Sequence, residues 1–423
     1  MDVNPLPEDI LSAKARRTTE PPIAWLMRMP IDDPQIISLA AGFVDQESLP
    51  AEEVAECVHE ILAVEKNRSA LQYGTSQGFF PLRQEVSRIL KRQGAGKSVS
   101  PDEILLTAGS QQVLHLVTDI LINEGDIVLV EDPTYFVYMG TLQAAGARVI
   151  GVPVDDEGIL PEALEDKIRF VERSAGLENL KLVYLMTYFQ NPTGACTAWH
   201  RKERLLEILR SHCDLGRTTF IIEDAAYKEL RFEGGEIPYL KALDRENSSV
   251  VLTGSFSKSF SPGLRVGFGY LPRPLLEHVL RQKGNEDFGS SNFCQHIAHQ
   301  AIITGRYAKH VEMLKAKYRA KRDLMLECLA RYFPHEVEVI KPLGGLYLWA
   351  SLPRGLNTGA RGQLFREAMQ RKVLYVPGEL CYCEEPGIEK PTNNLRISFG
   401  MVTEDNIVEG MARLGEAVSQ VLR

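Results

Sequence analysis

From about residue 104 to 270, short apolar runs rich in β-branched residues alternate with stretches long enough for helices. The runs at 104–107, 127–130, 148–152, 182–186, 220–222 and 250–252 are apolar throughout, as strands buried on both faces of a parallel sheet are. The pattern before and after this block differs. Residues 1 to about 30 carry prolines, Arg16, Arg17 and an apolar patch at 23–27, which reads as an arm with one docked helix. An amphipathic helix follows, with Val54, Cys57, Val58, Ile61 and Leu62 on one face and Pro50 near its start. Another helix is expected from about Pro81. Beyond residue 300 come a long helical region at 307–332, strand-like runs at 336–340 and 345–349 around a Pro-Leu-Gly-Gly turn, and a short helix at 364–371. Strands at 373–376 and 395–399 lead to a last helix, with Thr403 as N-cap and Ile407, Met411, Leu414 and Val418 on one face.

This alternation predicts an α/β fold: a large domain with a mostly parallel sheet covered by helices, and a smaller α+β domain. A length of 423 residues agrees with two domains. The expected division is an arm and small-domain segment at 1–45, a large domain at 46–300 and a small domain at 301–423. A net charge of −8 argues against nucleic acid or an anionic membrane as partner. The one basic stretch, 315–322, is expected to be a solvated helix face. No apolar run is long enough to span a bilayer, and Met-Asp-Val-Asn-Pro at the start lacks a leader pattern, so a soluble, cytoplasmic protein is expected. Seven cysteines without a Cys-x-x-Cys pair read as reduced thiols, with Cys381 and Cys383 packed rather than binding metal; no metal site is expected.

In parallel sheets ligands gather at the carboxyl ends of the strands. The 104–107 strand leads to Gly109, Ser110 and Gln111 at the start of a helix, where free backbone N–H groups form an anion site. The 127–130 strand leads to Tyr135, the 182–186 strand to Asn191-Pro-Thr-Gly194, and the 220–222 strand to Asp224 with Tyr227 three residues on. After 250–252 comes the stretch 255–267, Ser-Phe-Ser-Lys-Ser-Phe-Ser-Pro-Gly-Leu-Arg-Val-Gly, in which Lys258 stands among hydroxyls near Arg265. Together these ends offer an amine, a carboxylate, an aromatic ring, an amide, a phenol and a hydroxyl cluster with an arginine. Pyridoxal 5′-phosphate asks for this set, because its aldehyde needs an amine, its ring nitrogen a carboxylate and its phosphate fixed donors.

The motifs Tyr73-Gly…Gly78…Leu82-Arg83, Ala108-Gly-Ser-Gln-Gln112, Asn191-Pro-Thr-Gly194, Asp224-Ala-Ala-Tyr227, Ser255-Phe-Ser-Lys258, Gly263-Leu-Arg265-Val-Gly267 and Leu395-Arg396-Ile-Ser-Phe399 occur in that order. In them the chain resembles the fold-type I pyridoxal-phosphate enzymes, specifically class I/II aminotransferases of the aminoadipate and kynurenine aminotransferase-like branch, from about Ser38 onward. The resemblance implies that Lys258 binds the cofactor and then shuttles the substrate proton. It implies that Asp224 keeps the ring nitrogen protonated, that Tyr135 stacks on the ring, and that Asn191 and Tyr227 bond its phenolic oxygen. Ser110, Gln111, Ser255, Ser257 and Arg265 would hold the phosphate, with Tyr73 reaching in from a second subunit of a homodimer. Arg396 would clamp the substrate α-carboxylate, and Gly42 would let the N-terminal segment pass close to the substrate.

The implied activity is ping-pong transfer of an amino group from an amino acid to a 2-oxo acid, with 2-oxoglutarate the expected acceptor. Other chemistry on the same scaffold stays open, whether a β-lyase, a decarboxylase or a ring-forming synthase. A cofactor-sensing module fused to a DNA-binding domain is disfavoured by the roughly 40 residues before the enzyme-like region, too few for a winged helix. The donor, and the parts of Arg16, Arg17 and the Cys381/Cys383 segment, stay open at this point.

Overall fold

The computed structural model describes residues 8–63 and 65–423; the opening Met-Asp-Val-Asn-Pro, on which the leader expectation rests, lies outside them. The arm forms two helices, Ala13–Arg17 and Pro22–Asp32, rather than the single one expected. It ends in strand β1 (Ile37–Ser38). The large sheet comprises β2 (Ile104–Thr107), β3 (Ile127–Asp132), β4 (Arg148–Asp155), β5 (Gly158–Ile159), β6 (Leu180–Leu185), β7 (Phe220–Asp224), β8 (Val250–Ser255) and β9 (Gly267–Tyr270). Its spatial order is β2-β9-β8-β7-β6-β3-β4-β5. Neighbours among β8, β7, β6, β3 and β4 pair parallel, whereas β9 runs antiparallel to both β2 and β8. The hydrophobic pattern does not announce β9, because Gly267-Phe-Gly-Tyr270 has little β propensity of its own.

Alternation along each strand divides the core. Ile127, Leu129, Val183, Leu185, Ile221 and Val250 face helices Pro161–Ser174 and Trp199–His212. Val128, Val130, Leu182, Tyr184, Ile222 and Val251 belong to the larger core on the other face. Consecutive residues at a strand end therefore point to opposite faces.

The smaller sheet has strands β10 (Glu338–Val339), β11 (Tyr347–Ser351), β13 (Val376–Pro377) and β14 (Asn394–Ser398), in the order β10-β11-β14-β13 and antiparallel throughout. The run expected as one strand at 373–376 is two. Its first half, β12 (Val373–Leu374), pairs parallel with β1, and its second is β13. The β1–β12 pairing ties the arm to the smaller sheet, and Ser398 N donates to Leu39 O at 2.7 Å. Residues 39–42 are thereby drawn across the ends of the large sheet.

The basic stretch 315–322 is a correction. It lies on helix Arg306–Tyr332, but Lys321 and Arg322 are buried. Lys321 and Lys317 both reach the buried Asp45, at 2.6 and 2.7 Å, and Arg322 donates to Pro342 O and Glu233 at 2.8 Å each. The two lysines hold Asp45 down to about 2 against the opposing effect of its burial. Leu62, expected on the buried face of its helix, is exposed. All seven cysteines are free thiols, and burial pushes the Cys381 thiol up to about 12. Among the described residues no helix is long and apolar enough to cross a membrane.

Candidate active site

Strand β7 is buried from end to end and closes on two acids. Asp224 accepts from the Tyr184 hydroxyl at 3.0 Å and from Ala226 N at 3.0 Å, and burial raises its carboxyl to about 6 despite both bonds. Tyr184 is absent from the sequence-derived set because it lies inside an apolar strand. The signal available is that a buried tyrosine hydroxyl needs a partner.

Lys258 follows β8 in a tight turn. Its Nζ donates to Gly42 O at 2.7 Å, and burial, helped by Arg396 and Arg265, lowers it to about 8. Among the described residues no carboxylate pairs with Lys258, Arg265 or Arg396. The Ser255 hydroxyl accepts from Ser257 N at 3.0 Å.

Arg265 adopts left-handed backbone geometry (φ 51°) and donates through Nη2 to Ala108 O at 3.0 Å. This brings its guanidinium to the first residues of helix Ser110–Leu121, whose leading N–H groups have no intrahelical acceptor. Two glycines make the approach possible. Gly109 caps the helix at φ 83°, and a Cβ on Gly267 would lie 2.6 Å from Ser110 N. Ser110 and Gln111 are partly buried here, and Gln111 Nε2 donates to the Thr141 hydroxyl at 3.4 Å. A cationic group beside open helix amides is a cradle for a phosphate-like anion.

Arg396, on β14, is 2% exposed. Its Nη1 donates to Asn191 Oδ1 at 2.7 Å and its Nη2 to Ala40 O at 2.8 Å, while Nε is buried without a partner. The guanidinium sits 4.3 Å from the Tyr347 ring centroid and 5.7 Å from that of Phe136. A buried cation with only neutral neighbours is costly unless an anion completes it. The Tyr347 hydroxyl bonds that of Tyr227 at 2.8 Å, and a Cβ on Gly42 would run into it. Tyr135 is partly buried; burial first, then Tyr347 and Asp224, push its phenol well above the usual range, while Arg396 and Arg265 pull the other way. Its ring therefore lies among the other groups.

Two loops of this set are tied by residues the sequence reading did not single out. Gln190 Nε2 donates to Glu131 Oε2 at 2.9 Å and to Pro133 O at 3.1 Å, and its Oε1 accepts from the Thr193 hydroxyl at 2.5 Å. Glu131 also accepts from Met186 N at 2.8 Å, and burial raises its carboxyl to about 7. The loop carrying Tyr135 and the loop carrying Asn191 are thus fixed at one separation.

Tyr73 stands apart. It is 82% exposed and meets Phe288 edge-on, with ring centroids 5.7 Å apart. Leu62, Leu71, Phe80, Phe288 and Ile303 are also exposed. Arg17 pairs with Glu124 at 2.9 Å and donates to Ala144 O at 3.3 Å, which fastens the arm to the outside of helix Phe136–Ala145. Arg16 donates to Leu11 O at 3.0 Å.

The family described as aminotransferase class I and II matches residues 34–414. The chain is 36% identical over 394 residues to the 2-aminoadipate transaminase of Thermus thermophilus, covering 92% of this chain and 91% of that one. It is 34% identical over 417 residues to aromatic-amino-acid aminotransferase 1 of Thermococcus litoralis, covering 98% and 95%. Among solved structures, an α-aminoadipate aminotransferase of Thermus thermophilus complexed with N-(5′-phosphopyridoxyl)-L-leucine superposes with a TM-score of 0.84 at 33% identity, covering 98% of both chains.

Proposed function

Since this chain belongs to the class I and II aminotransferases, and is a pyridoxal-phosphate-dependent transaminase exchanging an amino group between an amino acid and a 2-oxo acid, we propose how its own residues do the work. When bound, pyridoxal phosphate supplies an aldehyde that a lysine can hold covalently and a ring that takes up the electron pair released at the substrate Cα.

The site suits that group on three counts. Arg265 and the helix amides form an anion cradle that side chains at Gly109 and Gly267 would fill. Asp224 is buried and short of a cationic donor. Arg396 has a buried Nε with no partner, as a carboxylate-binding arginine awaiting its ligand does. Ser110, Gln111, Ser255, Ser257 and Arg265 would hold the phosphate, Asp224 the ring nitrogen, and Asn191 and Tyr227 the phenolic oxygen, with Tyr135 against the ring. Arg396 orients the substrate through its α-carboxylate, and Gly42 leaves the passage open beside Tyr347. Lys258, once freed, would take the proton from the substrate Cα and deliver it to the cofactor carbon that had carried the aldehyde, and would run the same transfer backwards in the second half-reaction. An amine lowered to about 8 is partly neutral at working pH and so can act as base and as acid.

The exposed Tyr73 and the apolar surface around it support a homodimer in which Tyr73 completes the partner's site. The free thiols suit a cytoplasmic location, and the two sheets suit a division into 1–45, 46–300 and 301–423. The observation that carries the reading is a half-buried lysine with no carboxylate partner among the described residues, its amine lowered by desolvation and by the charges of Arg396 and Arg265. Incubation with amino donors and 2-oxoglutarate tests it. We expect glutamate and the donor's 2-oxo acid in equal amounts by ping-pong kinetics; ammonia or CO2 release without a new amino acid would favour a lyase or decarboxylase instead.

A further inference from the structure

The turn that opens helix Ser110–Leu121 is gripped at one residue from two sides. Ala108 O accepts from Arg265 Nη2 at 3.0 Å, and Ala108 N donates to Gln112 Oε1 at 2.8 Å. Gln112 stands at the third position of the helix, after the cap residue Gly109. A glutamine at this position commonly folds back onto the N–H of the cap and serves the helix alone. Here it reaches one residue further, to the residue whose carbonyl holds Arg265.

An independent observation is what stands behind Gln112. Its Nε2 donates to Asp287 Oδ2 at 2.8 Å and to Glu286 Oε1 at 3.2 Å. Asp287 is fixed in turn by Lys283, which is fully buried and donates to both of its carboxylate oxygens at 2.6 Å and to the Ser290 hydroxyl at 2.9 Å. That hydroxyl closes the ring by donating to Gln112 Oε1 at 3.3 Å. The two acids decide which way the amide points: with Nε2 turned toward them, Oε1 is left for Ala108 N. Lys283 also offsets negative charge that would otherwise stand behind an anion seat. A glutamine that only capped its helix would need neither the acids nor the buried lysine.

We infer that Gln112 is a positioning residue for the cofactor phosphate. Backed by the Lys283–Asp287 pair, it fixes Ala108 and so sets the distance between the Arg265 guanidinium and the leading amides of helix Ser110–Leu121. The inference rests on the phosphate seat proposed above. A phosphate takes its donors all at once, so a cradle built from one arginine and one helix start works only while the residue joining them is held still.

The test compares pyridoxal 5′-phosphate, pyridoxal and inorganic phosphate as ligands of the full chain freed of cofactor. Gln112→Met keeps the length of the side chain without its amide, and Gln112→Asn is one methylene too short to span Ala108 and Asp287 together. Both should raise the Kd of pyridoxal phosphate about tenfold or more, and that of inorganic phosphate by a similar factor. The Kd of pyridoxal, which has no phosphate to place in the cradle, should stay within about twofold. Thr403→Ala is the control for a lost cap: it removes the hydroxyl that accepts from Asn406 N at 3.3 Å at the start of helix Glu404–Leu422. It should lower thermal stability and leave all three Kd values unchanged. A rise shared equally by pyridoxal phosphate and pyridoxal in the Gln112 variants, or no rise, would show that Gln112 serves the helix alone and would overturn the assignment. A parent protein that binds pyridoxal as tightly as pyridoxal phosphate would strike the phosphate seat itself, and the assignment with it.

Discussion

Glu223 and Asp224 are neighbours at the end of one strand, both buried, and the two faces of the sheet treat them differently. Beneath the sheet, Glu223 accepts from the Thr187 hydroxyl at 2.7 Å, Leu240 N at 2.8 Å, Lys241 N at 2.9 Å and Lys202 Nζ at 3.2 Å. Lys202 in turn bonds Pro238 O at 3.0 Å and lies 4.0 Å from the Tyr188 ring centroid. Above the sheet, Asp224 has two donors and no cation, and Lys258 has one carbonyl and no anion. The same residue types make a closed ion pair on one side and a set of open valences on the other. A buried charge whose partners are all supplied by the chain serves the fold. One left underpaired points to a ligand.

Removal of each lysine separates the two faces most sharply. Lys258→Ala should lower transamination by about three to four orders of magnitude with little loss of stability. Lys202→Met should do the reverse, because it strands Glu223 without its cation: about 3–5 kcal/mol of stability lost in denaturant titration, with turnover per folded molecule largely kept. Equal effects of both on turnover would erase the distinction.

Asp224→Asn sharpens it through pH. The folded-state carboxyl is raised from 3.8 to about 6, so the folded chain prefers the neutral form. Its stabilising contribution is present at low pH and is lost as pH rises through 6. In the cofactor-free protein Asp224→Asn should therefore be more stable than the parent at pH 7.5, by up to about 3 kcal/mol at 1.36 kcal/mol per unit. The gain should shrink toward pH 4, and the loaded variant should lose roughly two orders of magnitude in rate. A variant that is less stable at pH 7.5 would show Asp224 to be as fully satisfied as Glu223. The smallest effect is expected at Gln190→Ala. Loss of the tie between the Tyr135 and Asn191 loops should raise KM about tenfold with kcat nearly kept, and cost about 1–2 kcal/mol of stability.

The open face was the more legible in sequence. Its residues sit where an apolar strand gives way to Ser110, Asp224 or Lys258, and that change of character is local. The groups that hold them were hidden in apolar context: Tyr184 inside β6, Tyr347 at the start of β11, and Glu131 at the end of β3. The two tyrosines carry a polar atom on a residue otherwise suited to the core, Glu131 reads as the polar edge of its strand, and only the third dimension shows what each meets. The stretch 315–322 misled for the same reason, since its burial depends on Asp45, far away in the chain. β9 escaped notice because its glycines are there for close approach to the helix start rather than for sheet propensity.

The most direct measurement of the central claim is to reduce the pyridoxal-phosphate-loaded protein with borohydride and map the pyridoxyl adduct by peptide mass spectrometry. The account predicts one adduct, on Lys258, in stoichiometric yield. An adduct on Lys202, Lys228 or Lys241, which are buried lysines with carboxylate partners, or no stable adduct in a loaded protein, would contradict it.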